Sequence, residues 1–106
     1  MSNNSDKEKR MLPGYKTLPT AKTIHQNNPL PFEQYQKLVG GYVEVLFMPL
    51  DKTNLVFNED GKMLGLTMNH VATEMLHKNF PHTAEYGDYI VGDVFVLHGK
   101  ARIKRR

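Results

Sequence analysis

The side chains of this chain that could carry chemistry are a few histidines, scattered carboxylates and a closing run of cations. His70, Glu74 and His77 fall at i, i+4 and i+7, so a helix would hold them on one face. At a rise of 1.5 Å per residue, His70 and His77 would stand about 10.5 Å apart along that helix. Joint ligation of one ion needs i, i+4 spacing, so the pair predicts a solvated polar face and no metal. His82, just past Pro81, would add a second ligand to His77 and still leave the ion unenclosed. Among the acids, only Glu44, Glu74 and Asp93 lie near predicted core elements. Asp93 follows Gly92 inside an apolar run, where a bulge would turn it to the sheet edge to hydrogen-bond a turn.

Nucleophiles are missing from the body. There is no cysteine, and both serines, Ser2 and Ser5, precede residue 11. Thiol chemistry, disulfides, zinc fingers and serine catalysis are thereby excluded. No GxxxxGK[ST] or GxGxxG string is present, and Gly40-Gly41 follows a helix where a phosphate cradle would precede one. The residues predict no enzyme and no cofactor.

Charge is unevenly placed. The chain of 106 residues carries a net +3, but residues 100–106 alone carry +5, residues 1–10 carry +1, and residues 11–99 carry −3. All four arginines lie in the two terminal segments. The cations Lys100, Arg102, Lys104, Arg105 and Arg106 are therefore the candidate nucleic-acid contacts. No aromatic residue interleaves them.

These groups need elements to position them. About 40% hydrophobic and 24% charged residues over 106 positions predict one globular domain. Residues 1–12 are polar and read as a flexible tail, and the opening string is unlike a secretory signal, so a cytoplasmic location is expected. No apolar run reaches the roughly 20 residues of a membrane span. Four prolines in 13–31 leave room only for short edge strands near 15–18 and 21–25. Residues 31–39 predict a helix burying Phe32, Tyr35, Leu38 and Val39, closed by Gly40. Alternation predicts strands over 42–48 and 54–57, with Val43 and Val45 opposite Tyr42, Glu44, Leu46 and Met48. A turn at Asn58–Gly61 would lead into a third strand over 62–66. A helix over 67–79, capped by Thr67 or Asn69, would bury Met68, Val71, Ala72, Met75 and Leu76. Its wet face would carry Asn69, His70, Thr73, Glu74, His77 and Lys78. The apolar run 88–98 predicts a central last strand.

The expected fold is α+β: a small antiparallel sheet of three to five strands, two short helices on one face, and a basic tail over 100–106. The domain itself spans 13–99. Several strings in it, taken in order, carry a resemblance. They are Leu38-Val39-Gly40-Gly41-Tyr42-Val43-Glu44-Val45, Asn58-Glu59-Asp60-Gly61-Lys62, Gly65-Leu66, Asn69, Ala72-Thr73 and Asp88-Tyr89-Ile90-Val91-Gly92-Asp93. Over roughly 30–99 the chain resembles the family known as domain of unknown function 3846, small proteins of phages, plasmids and bacteria. The resemblance implies a mobile-element setting and no established activity.

The expected function is therefore a non-catalytic accessory protein, of inhibitor or anti-defence type, that binds a host protein through a sheet edge or helix face. His70, Glu74, His77, Tyr42 and Glu44 are the candidate partner contacts. Nucleic acid held by the tail is the alternative, and a sponge for a signalling nucleotide is a third. An exposed sheet edge would also allow a homodimer.

Overall fold

The computed structural model describes residues 21–104. The expectations for the tail 1–12, for an extended piece at 15–18 and for Arg105 and Arg106 lie outside the described residues. Strand β1 (Thr23–Gln26) comes first, then helix α1 (Phe32–Val39), strands β2 (Val43–Met48) and β3 (Thr53–Asn58), helix α2 (His70–Asn79), the short helix α3 (His82–Glu85), and strand β4 (Val94–Leu97). A 3-10 turn at Gly99–Ala101 follows. The fold is α+β, and its four strands lie in the order β1-β4-β3-β2.

Two features of the sheet differ from expectation. It is mixed, because β1 runs parallel to β4, whereas β2–β3 and β3–β4 are antiparallel. Strand direction leaves no mark on a four-residue segment such as Thr-Ile-His-Gln, whose pairing is fixed from outside it. The helices also cover both faces instead of one. Leu55, Phe57, Val94 and Val96 pack with Ala72 and Leu76 of α2. Val56, Phe95 and Leu97 pack with Tyr35 of α1, joined by Val43 and Val45 of β2. Alternating side chains of β3 and β4 thus enter two cores, and every residue of both strands is buried. That double burial explains the unbroken apolar string of β4, which alternation cannot produce.

Helix α1 starts after Pro31 and ends at Gly40, whose φ of 83° closes it in the left-handed conformation. Of its expected apolar stripe, Tyr35 is buried, while Phe32 and Leu38 are half exposed. Helix α2 is three residues shorter than predicted, because Asn69 caps it by accepting from the Ala72 N–H. Two residues placed on its wet face, Asn69 and Thr73, are buried, and two placed on its apolar stripe, Val71 and Met68, stay exposed. The rotation follows from Asn69, which is drawn inward by four hydrogen bonds.

Residues 62–66 form no strand. They close a compact turn in which Leu64 N–H donates to Asp60 O, Gly65 N–H to Lys62 O and Leu66 N–H to Gly61 O. The predicted strand over 88–98 is likewise shortened to Val94–Leu97. Gly92 adopts φ of 78° and breaks the run, and Val91 makes only an isolated bridge to Met68. Asp93 therefore lies ahead of β4 and not in a bulge within it, and its carboxylate accepts from the Lys22 N–H, just before β1, at 2.9 Å. At the far end, Ala101 is buried and Ile103 packs against the α1 core, so the first part of the basic segment is seated on the domain.

Candidate functional site

The predicted partner contacts do not converge on one point. His70 and Glu74 are exposed on α2. Glu74 borders an open cleft with His25, His98 and Lys78. His77, one turn on, is half buried and engages the Asp88 carbonyl through Nε2 at 2.7 Å. Tyr42, just before β2, is 70% exposed. His82 is held edge-on between Phe80 and Tyr86, away from the metal role considered for it. Among the described residues, no group of three histidine or acidic side chains could hold a metal ion.

Glu44 opens a more concentrated site. Cross-strand pairing sets it opposite Phe57, on the side of the sheet where the turn 58–66 and the segment 88–91 come together. Their side chains enclose a cavity of about 140 Å³ lined by Glu44, Glu59, Lys62, Asp88 and Tyr89 over a floor that includes Phe57 and Leu76. Lys62 organises its rim. Its Nζ lies 2.5 Å from Asp88 Oδ1 and 4.5 Å from the centre of the Tyr89 ring, a salt bridge and a cation–π contact at once. The Lys62 ammonium, with the Tyr89 N–H and the nearby His77, holds the Asp88 carboxyl below its ordinary range. Burial, Glu59 and Asp88 push Glu44 upward, and Lys62 only partly offsets them.

Beside this cavity the turn 61–66 presents apolar side chains to solvent. Met63 is 80% and Leu64 59% exposed. Leu66 is fixed against the backbone of Gly92, where a Cβ would stand 2.8 Å from Leu66 Cδ1. The periodicity read as a third strand concealed this feature: the alternating apolar residues at 64 and 66 serve a turn, Leu64 facing outward and Leu66 lying partly over Gly92.

The opposite end of β2 and β3 is basic. Lys100, Arg102 and Lys104 are exposed, and Arg102 Nη1 donates to Lys52 O at 3.2 Å. The Ile103 N–H donates to Asn54 Oδ1 at 2.5 Å, which anchors the segment to β3. Lys52 joins the predicted cations here. Distance in sequence hid it, for it lies fifty residues before Arg102.

A family model described as Domain of unknown function (DUF3846) matches residues 11–103. The match is wider than the motifs at 38–93: it takes in the proline-rich stretch, and it reaches Lys100 and Arg102 of the basic segment. No curated protein and no solved structure matches the chain.

Proposed function

From its place in the DUF3846 family, to which this chain belongs, we propose that it is a non-catalytic accessory protein of a phage or other mobile element that docks on a host protein. The observation that carries this reading is the turn 61–66. It places Met63 and Leu64 outward, with Leu66 partly exposed beside them, on a backbone already fixed by its own hydrogen bonds. A backbone already held in place loses little conformational freedom on binding, so only the side chains have to be ordered when the apolar surface is covered. The charged cavity alongside supplies a polar rim, as an interface requires around an apolar centre. Lys62 and Asp88 are bridged across that rim, and Glu44 and Glu59 add acceptors beside them for a partner's donors.

The test is comparative capture from a nuclease-treated lysate of the bacterium that carries the gene. The intact chain is expected to retain a stoichiometric protein that Leu64→Asp releases, with folding unchanged because Leu64 is exposed. Retention that is indifferent to Leu64→Asp, or no stoichiometric protein at all, overturns the proposal.

A further inference from the structure

The basic end of the sheet carries a second site, independent of the turn 61–66. Two adjoining grooves meet there, of about 470 and 390 Å³. Both are lined by Phe47, Asn54 and Arg102. Lys52 and Phe80 border the first, and Lys104 borders the second.

The backbone at Lys52 is unusual. It lies in the left-handed region with φ of 53°, the one non-glycine residue among those described with positive φ. A tight turn there would be formed with less strain by glycine or asparagine. A lysine held in such a conformation points to a use for its side chain. Its carbonyl also positions Arg102, whose guanidinium keeps further N–H groups for a ligand. Lys104 follows directly after Ile103, which the α1 core and Asn54 hold in place. These cations are therefore arrayed on fixed backbone rather than on a loose tail.

We propose that this face binds single-stranded nucleic acid: Lys52, Arg102 and Lys104 take the phosphates, and the grooves take the bases. Charge complementarity selects a polyanion. The concave, largely apolar grooves favour one whose bases are unpaired, since a duplex would offer only its backbone to such a surface.

Fluorescence anisotropy of a labelled oligothymidine against the full chain, with added salt titrated, tests the idea. Binding is expected at low salt and should fall steeply as salt rises, because released counterions drive it. The double substitution R102A/K104A should weaken it by about tenfold or more and flatten the salt dependence. Lys52→Gly gives the sharper readout: it should weaken binding while the melting temperature holds or rises, an outcome that a purely structural Lys52 cannot give. Lys37→Ala, on α1, should bind like the wild type. Absence of binding at low salt, or R102A/K104A binding as tightly as the wild type, overturns the proposal. So does equal affinity for a duplex, or for vesicles of anionic phospholipid.

Discussion

Asn69 shows how one side chain can join the parts of this fold. Its Oδ1 accepts from Thr23 Oγ1 and from the Ala72 N–H, and its Nδ2 donates to the carbonyls of Lys22 and Gly92. All four hydrogen-bonding positions of the amide are filled, and the residue is 2% exposed. Aspartate caps helices as well as asparagine does, yet Asn69→Asp should be the more damaging change. It would set an acceptor against two buried carbonyls. Asn69→Ala should cost about 2 kcal/mol and Asn69→Asp about 3 kcal/mol or more in chemical denaturation. If Asn69→Asp is the milder of the two, the amide orientation is wrong. Tyr35 is the counter-case. Its hydroxyl is buried and, among the described residues, makes no hydrogen bond of good geometry; burial pushes its pKa up, and the nearby Leu30 backbone offsets this only in part. Tyr35→Phe should therefore be neutral or slightly stabilising, and a loss above about 1 kcal/mol would reveal a partner. Titration separates the acids of the Lys62 cavity. The raised pKa of Glu44 means that the folded state binds its proton more tightly, so the ionised form weakens the fold at neutral pH. Glu44→Gln should raise the melting temperature at pH 7, and the gain should fade as pH falls through the range just above 4.5. Asp51 runs the other way, because Lys78 and Asn79 lower its pKa. Its contribution is present above its ordinary 3.8 and lost as pH falls through the lowered value. Asp51→Asn should thus destabilise at pH 7 and do so less in acid.

Elements made of contiguous residues were legible where one face met water and one met the core. The alternation in 42–48 gave the faces of β2 correctly, with Val43 and Val45 toward α1, and Leu46 and Met48 toward α2. Gly40 marked the end of α1 for the same local reason, its left-handed φ. Reading failed where a single glycine outweighed the apolar pattern around it. At Gly92 the N–H donates to Thr67 O at 2.7 Å, away from the sheet ladder, so the apolar residues before it cannot extend β4. The basic face and the Lys62 cavity were illegible for a different reason. Lys52 and Arg102, like Lys62 and Asp88, meet only through pairing of distant segments. The same glycine offers the test at this scale. Gly92→Ala combines a left-handed backbone with a Cβ 2.8 Å from Leu66 Cδ1, and should cost about 2 kcal/mol. Because Leu66 would be displaced, capture of the host protein should weaken as well. Leu66→Ala should relieve the clash and recover part of the stability of Gly92→Ala but not the capture. Full recovery of capture in the double variant would show that Leu66 is no part of the docking surface.

At the scale of the molecule, the charge imbalance between body and C-terminus becomes a polarity in space. Antiparallel pairing of β2 with β3 puts Glu44, Glu59 and Asp88 near one end of the strands and Lys52 near the other. The pairing of Asn54 with Leu97 brings the basic segment to that second end. A six-residue strand spans roughly 20 Å, so the two proposed surfaces lie well beyond the distance at which neighbouring substitutions couple. With both proposals taken together the molecule would be an adaptor, one end gripping a protein by apolar contact and the other a polyanion by charge. The two grips should respond differently to salt, because counterion release governs only the second. Raising ionic strength should strip nucleic acid from a ternary complex while the protein partner stays bound. Leu64→Asp should do the reverse, and combining it with R102A/K104A should give the sum of the separate losses. Joint release of both ligands at one salt concentration would mean that the protein partner is held through the nucleic acid, and the apolar turn would then have no docking role.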